Sequence, residues 1–259
     1  MDIVNYNRQA WDGLVQAGNQ WTRPISSEVV QRARKGEWSI VLTPEKPVPR
    51  EWFGDLQDAA VLCLAGGGGQ QGPTLSAAGA NVTVFDNSPQ QLKQDEAVAK
   101  RDGLEIETVQ GDMRDLSQLG DATFDLIVHP CSNGFIPDVN PVWQEAFRVL
   151  KPGGRLMTGF ISSLFFLFDF WEMEKGNLVV KYSLPFADCE QLDKEKLQEL
   201  IDQGEPLEYG HTLTDQIGGQ LRAGFHLVDF FEDECDENPY GLLSKYIDPF
   251  IATLARKPE

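Results

Sequence analysis

The chain predicts an α/β fold, a doubly wound and mostly parallel sheet with helices on both faces. Three observations predict it. Short apolar runs alternate with helix-like stretches between residues 61 and 160, the pattern of successive βαβ units. A glycine-rich segment, VLCLAGGGGQQGP at 61–73, stands where the first strand of that series turns into its first helix. An acidic residue, Asp86, ends the second strand about 20 residues further on.

The elements follow in order. Residues 6–18 read as a short amphipathic helix with Trp11, Leu14 and Val15 on one side. Residues 27–35 read as a second, stopped by Gly36, and a proline-rich bridge, TPEKPVPREWF, comes next. Val61, Leu62 and Leu64 form a strand core, and Gly66 to Gly69 let the backbone turn with no Cβ in the way. Pro73 and residues 74–78 read as the first turns of a helix, where proline is tolerated. Then come a strand at 82–85, a helix at 89–101, a strand at 105–109 and a loop through Asp115. A strand at 124–129, a helix at 142–150 and a strand at 155–160 close the series. Beyond residue 161 the rhythm breaks. The apolar LFFLFDFW (164–171), a strand-like NLVVKYSLPF (177–186) and a helix from Asp193 as N-cap to Gly204 as C′ read as an insert. Thr214 opens a further helix through Leu221, then a strand at 225–230, an acidic loop at 232–237 and a last strand at 250–255. The expectation is one domain over 1–259. Residues 1–55 form an N-terminal helical cap, 56–160 a ligand-binding core, 161–213 an inserted α+β lid, and 214–259 the C-terminal part of the sheet.

Composition narrows the function. The 259 residues are 41% hydrophobic and 24% charged, which suits a domain of this size. The formal net charge is -18, from 22 Lys+Arg against 40 Asp+Glu, and the basic cluster is confined to Arg32, Arg34 and Lys35. Such a chain is a poor grip for phosphate backbones, so no nucleic-acid partner is expected. The four cysteines and three histidines are dispersed with no ligand spacing, so no metal is expected. The polar N-terminus and the absence of a long apolar run predict a cytoplasmic protein with no membrane segment. The oligomeric state has no signature here.

GGGQQG (67–72) formally matches G-x-G-x-x-G, which on its own fits a dinucleotide site or an empty turn. Asp86 at a strand end is suited to accept both hydroxyls of a ribose; the alternative is a helix N-cap, a part Ser88 can also play. In GDMRDL, Asp112 can accept from an adenine amine while Met113 gives soft contact to the ring. FDLIVHPCSNGF (124–135) is a strand running into a polar loop, and EAFRVLKPGGRLMTGF is a helix, a Pro-Gly-Gly turn and a strand.

In this order the five segments resemble the class I S-adenosylmethionine-dependent methyltransferases, in particular the broad type 11 group that includes ubiquinone- and menaquinone-biosynthesis-like enzymes. The family's first motif runs approximately VLDLGCGTG, and VLCLAGGGG stands here at 61–69. FDLIV and RVLKPGGRL match closely, and dinucleotide dehydrogenases lack the latter. The likeness is strong over 61–160, and AGFHLVDFF and PFIATLARK resemble the family's last two strands. It implies a Rossmann-like, seven-stranded sheet with an antiparallel last strand, S-adenosylmethionine as cofactor, and methyl transfer to a small molecule.

Carried over by position, Ala65, Gly66, Gly67, Gly69 and Gln70 would wrap the methionine end of the cofactor. Asp86, with Asn87 and Gln91, would serve the ribose, and Asp112 and Met113 the adenine. His129 would open the loop beneath the sulfonium as a base or acceptor-orienting group, the alternative being a histidine bonded to backbone. Tyr6, Trp11, Trp21, Asn133 and His211 are candidates for the acceptor pocket, with Ser132, Trp38 and the aromatic run at 165–171 behind them. Cys63 stands where the family often carries an acidic residue, which leaves the amino group to backbone carbonyls, Gln70, Gln71 or the N-terminal helices. Two rival readings remain: an NAD-dependent oxidoreductase, which RVLKPGGRL and GDMRDL oppose, and a non-enzymatic adenosylmethionine-binding protein.

Overall fold

The computed structural model describes residues 1–237 and 239–259. The chain begins with α1 (Ile3–Ala17) and α2 (Ser27–Ala33). α1 starts ahead of Tyr6 because the Asp2 side chain accepts the Asn5 N–H and caps it, and Gly18 at φ 70° ends it. Next come β1 (Ala60–Leu64), α3 (Gln71–Ala77), β2 (Asn81–Asp86), α4 (Pro89–Asp102), β3 (Ile106–Gln110), β4 (Phe124–His129), α5 (Asn140–Val149) and β5 (Leu150–Ile161). An insert carries α6 (Phe170–Glu174), β6 (Phe186–Ala187), α7 (Asp188–Gln191), α8 (Lys194–Gln203) and β7 (Tyr209–Gly210). The chain closes with α9 (Leu213–Ala223), β8 (His226–Asp233), α10 (Tyr240–Ser244) and β9 (Phe250–Arg256).

The main sheet has seven strands in the order β3-β2-β1-β4-β5-β9-β8. β3 through β5 pair in parallel, and β9 runs antiparallel to both β5 and β8, as the resemblance implies. The chain reverses its direction of winding between β1 and β4, which opens a crevice beyond the C-terminal ends of those strands.

Strand alternation divides the core into two layers. Val61, Cys63, Val82, Val84, Leu126 and Val128 face one side, where Leu75 of α3, Leu92 of α4 and the irregular segment carrying Leu42, Trp52 and Phe53 cover them. Leu62, Leu64, Phe85 and Ile127 face the other side, against Val142, Trp143 and Ala146 of α5. The insert builds a smaller core of its own from Phe165, Phe166, Met173 and Phe186. Asp169 is buried there and caps α6. Burial alone would raise its carboxyl, but Lys181 at 2.7 Å and Lys196 at 3.3 Å outweigh it and hold the group below the usual range.

Several boundaries depart from expectation. α3 starts at Gln71, two residues before Pro73, which still falls in the first turn where its missing N–H costs nothing. α5 ends at Val149, and 150–154 join β5 through a register shift opposite Phe124 and Leu126. The N-cap of α9 is Thr212 and not Thr214: its hydroxyl donates to the Asp215 carboxylate at 2.6 Å and accepts the Asp215 N–H. An acid three residues on selects the cap. NLVVKYSLPF is not a strand over its length. Val179 and Val180 are exposed, and Val180 makes a single bridge to Phe168 before Phe186 enters β6. β8 extends into the expected acidic loop as far as Asp233, whose carboxylate accepts the N–H groups of Glu45 and Lys46.

Gly159 in β5 lies directly against the Leu42 carbonyl, where a Cβ has no room. Gly159→Ala is expected to lower the urea midpoint by the equivalent of about 1–3 kcal/mol, with the slope of the transition unchanged.

Candidate active site

The crevice at the reversal point is a cavity of about 250 Å³, bordered by both the sheet ends and the N-terminal segment. Its floor is the loop after β1. Ala65 bends it at φ 49°, with its N–H donated to the Phe85 carbonyl at 2.8 Å. Gly66 and Gly67 border the cavity. The next two glycines do something else. Gly68 donates its N–H to Gln91 Oε1 at 2.9 Å, and a Cβ there would meet the Gln91 carbonyl at 2.5 Å. Gly69, at φ 74°, presses against Pro24 and accepts the Ile25 N–H. The glycine run therefore presents backbone to the cavity with one half and seats α4 and the N-terminal segment with the other.

At the end of β2, Asp86 accepts the Ser88 N–H at 2.7 Å. Burial raises its carboxyl to about 7, the Ser88 N–H opposes this and the charge of Asp12 adds to it. Ser88 caps α4 by accepting the Gln91 N–H, so Asp86 is free of that duty. After β3, Gly111, Asp112 and Met113 complete this side. Arg114 engages both oxygens of Asp112, with Nη2 at 2.6 Å from Oδ2 and Nε at 3.1 Å from each. That leaves the carboxylate little capacity for another donor.

α1 forms the cover. The buried Asn7 amide donates to the carbonyls of Phe135 and Leu207 at 2.8 and 2.9 Å and accepts the Leu207 N–H at 2.8 Å. Trp11 meets Phe135 edge-on at 5.0 Å, and Asn87 donates to the Val4 carbonyl. Gln70 donates to the carbonyls of Trp21 and Arg23, tying the glycine loop to the segment after α1. The far side of the cavity is apolar and aromatic, with Leu42, Pro44, Ile136, Ile161, Tyr240 and Phe250, together with Glu208.

Two buried polar atoms on the wall have no partner among the described residues, Thr43 Oγ1 and Gln71 Oε1. Orphans of this kind are costly while unpaired and are suited to receive a polar ligand. Exposed backbone at Gly66 and Gly67, a carboxyl at a strand end and a methionine beside it fit an adenosine joined to an amino acid. Among the described residues, no three His, Cys, Asp or Glu side chains gather as a metal site, and no helix is long and apolar enough to cross a membrane.

Known proteins resemble this chain in sequence and fold. A family model described as a methyltransferase domain matches residues 62–158. The uncharacterized methyltransferase YbaJ of Bacillus subtilis (strain 168) is 50% identical over 255 residues, which cover 98% of each chain. This chain belongs to the class I S-adenosylmethionine-dependent methyltransferases. Its cofactor is S-adenosylmethionine. Solved structures share the fold. An S-adenosylmethionine-dependent methyltransferase from Mesorhizobium loti superposes with TM-score 0.60 at 18% identity, covering 80% of this chain and 95% of that one. A Burkholderia thailandensis 1,6-didemethyltoxoflavin-N1-methyltransferase, with its substrate and S-adenosylhomocysteine bound, superposes with TM-score 0.58 at 16% identity, covering 98% and 88%.

Of the residues singled out in the methyltransferase sequence, Ala65, Gly66, Gly67, Gln70, Asp86, Asn87, Gln91, Asp112, Met113, Trp11, Trp21 and Ser132 border the cavity. Others lie elsewhere. Gly69 faces Pro24, and the Tyr6 hydroxyl donates to the Glu205 carbonyl. His129 is fully buried beside Trp143, its Nδ1 donating to the Leu64 carbonyl at 2.9 Å and its Nε2 2.7 Å from the Asn133 amide. Burial lowers its basicity, and the two acceptors that face its nitrogens, the Leu64 carbonyl and Asn133 Oδ1, oppose that shift. Asn133 is fully buried, and His211 Nε2 donates to the carbonyls of Asn133 and Ile136. Trp38 packs on Phe53 under the Arg50 guanidinium, and the 165–171 run fills the core of the insert. Cys63 points into the core beneath α3, away from the ligand side. The sequence reading missed Asn7, Arg8, Thr43, Tyr240, Phe250 and above all Glu208. No local signal marks Glu208, since an acid in EPLEYGH reads as one more solvated charge.

Asn7→Ala strips partners from two carbonyls and one N–H in a buried place. It is expected to cost about 3 kcal/mol of stability, measured by urea unfolding, and to speed proteolytic cleavage within residues 1–25.

Proposed function

We propose that the enzyme transfers the methyl group of S-adenosylmethionine to a small-molecule acceptor and releases S-adenosylhomocysteine. One observation carries the reading: a single cavity has a polar, backbone-lined end at the glycine loop and an apolar, aromatic end under α1 and the insert. Residues 1–259 act as one catalytic unit, in which 56–160 hold the cofactor while 1–55 and 161–213 wall the acceptor. The charge of -18 disfavours a polyanion as acceptor. The bound substrate of the Burkholderia thailandensis enzyme, a small molecule, supports the same reading. Four unpaired cysteines suit a reducing, cytoplasmic setting.

Bound in this cavity, the sulfonium supplies an activated methyl whose leaving group is a neutral thioether. The protein supplies alignment and dryness. Main chain at Gly66 and Gly67, with Gln70 and Gln71, would hold the methionine end, and the unpaired Gln71 Oε1 would accept a hydrogen bond from its amino group. Asp86 would accept the ribose hydroxyls. Met113 would cover the adenine ring, and the backbone of 112–113, not the Arg114-bound carboxylate, would meet the adenine edge. His129 is a positioning residue: it ties the end of β1 at Leu64 to the turn at Asn133, and neither ring nitrogen is free to take an acceptor proton.

Ribose hydroxyls bind the ionised form of Asp86, whose carboxyl sits near 7 before the ligand arrives. S-Adenosylhomocysteine affinity, measured by calorimetry, is therefore expected to rise with pH from about 6 to 8 and then level off. Asp86→Asn is expected to weaken binding roughly 10- to 100-fold and to flatten that rise. Affinity equal to wild type would remove the ribose assignment.

A further inference from the structure

Glu208 is a carboxylate with a used backbone and an unused side chain. Its N–H donates to Asp188 Oδ2 at 2.7 Å, and its carbonyl accepts the Asp188 N–H at 3.1 Å, which fixes the residue just ahead of β7. The other carboxylates on the cavity wall are engaged, Asp86 by the Ser88 N–H and Asp112 by Arg114. The Glu208 side chain has neither hydrogen bond nor ion pair among the described residues, and it borders the same cavity as the aromatic wall of Phe135, Tyr240 and Phe250. A carboxylate without a structural partner, facing an apolar chamber next to a methyl-donor site, is matched to an acceptor's proton.

We propose that Glu208 is the acceptor-facing base of this enzyme, and that the acceptor is a small aromatic molecule carrying an O–H or N–H at the reacting atom. The proposal rests on the acceptor reading above. In the step, the lone pair of the acceptor atom forms a bond to the methyl carbon and the carbon–sulfur bond breaks, its pair passing to sulfur. The O–H or N–H bond breaks with its pair kept by the acceptor atom, and the proton goes to the Glu208 carboxylate. One sulfonium, one carboxylate and one neutral acceptor become a thioether, a carboxylic acid and a methylated product, so charge balances.

The surroundings suit that task. Burial raises the Glu208 carboxyl to about 8, with the charges of Asp188 on α7 and Glu205 adding to it. From α10, desolvation raises the Tyr240 phenol, and from the loop after β4 it raises the Cys131 thiol as well. Arg8 of α1 is the cation on the wall, and its guanidinium is engaged by Asn5. Once ionised, a base near 8 takes a proton readily, and a cationic sulfonium in the same cavity favours that ionised form.

The test uses the full chain, Glu208→Gln and Glu208→Asp. S-Adenosylhomocysteine calorimetry comes first. Equal binding by wild type and Glu208→Gln is expected; no binding to wild type brings down the cofactor-site reading and the proposal with it, and loss in the variant alone makes Glu208 structural and overturns the proposal. Labelled methyl transfer from S-adenosylmethionine to phenol, catechol, aniline and indole follows. Glu208→Gln is expected to lower the rate about 100-fold or more, with Glu208→Asp recovering part. The wild-type rate rises with pH towards about 8, and the Gln variant is flat. A rate unchanged by Glu208→Gln, or no labelling of any of the four by an enzyme that binds the homocysteine product, overturns it. A third readout needs no acceptor. Between about 4.5 and 8 the unfolded chain has released the Glu208 proton while the folded chain keeps it, so wild type loses more stability as pH rises than the Gln variant, which lacks that contribution. The melting-temperature difference, variant minus wild type, should grow across that window; a constant difference means a solvated carboxyl and sinks the assignment.

Discussion

The site depends on one side chain amide. Asn7 commits both its oxygen and its nitrogen to main chain belonging to two distant segments, the turn at Phe135 and the strand entry at Leu207. Without it the sheet would still form, since β1 to β5 bury their own side chains. The chamber would not. α1 is held over the crevice by that amide, by the Asn87 bond to Val4 and by Trp11 against Phe135. Because each bond satisfies a buried backbone group, the cover is fixed in position as well as attached.

Closing the chamber changes the chemistry of the acids inside it. Asp86 and Glu208 are ordinary carboxyls in water, and both are pushed into the neutral range by burial. A strongly acidic protein has no shortage of carboxylates, so the informative ones are those taken out of solvent without a cation. Asp112 is paired with Arg114 and Asp169 with two lysines, whereas Asp86 and Glu208, on the cavity wall, have no cation partner among the described residues. Carboxyls held in that state are suited to respond to a ligand that brings charge or a hydrogen-bond donor.

The His129 result illustrates how strand position can mislead. A histidine at the C-terminal end of a central strand stands in the right place for catalysis, and the linear order of residues offers no way to see which face it takes. Its side chain lies on the α5 face, against Trp143, where the Leu64 carbonyl and the Asn133 amide consume both nitrogens. Asn133 and His211 are drawn into the same polar seam below the cavity, joined to Gln216 of α9. Polar residues clustered behind a site are needed there because a loop that turns under a chamber buries backbone groups that must be paired.

Local chemistry was enough for the core. The four-glycine turn, the acid ending β2 and the Pro-Gly-Gly turn before β5 each carry their meaning within a dozen residues, because backbone freedom and strand alternation are local properties. They gave the doubly wound sheet, its antiparallel last strand and the cofactor. The division of labour within the glycine run was not legible, because Gly68 and Gly69 are glycine for the sake of Gln91 and Pro24, which lie 23 residues after and 45 residues before them. Nor was the acceptor end. Glu208, Tyr240 and Phe250 come from three segments, 32 and then 10 positions apart along the chain, and each looks alone like a surface acid or a packing aromatic. Only the return of the chain across the top of the sheet brings them to one wall and removes the water that would have made Glu208 ordinary.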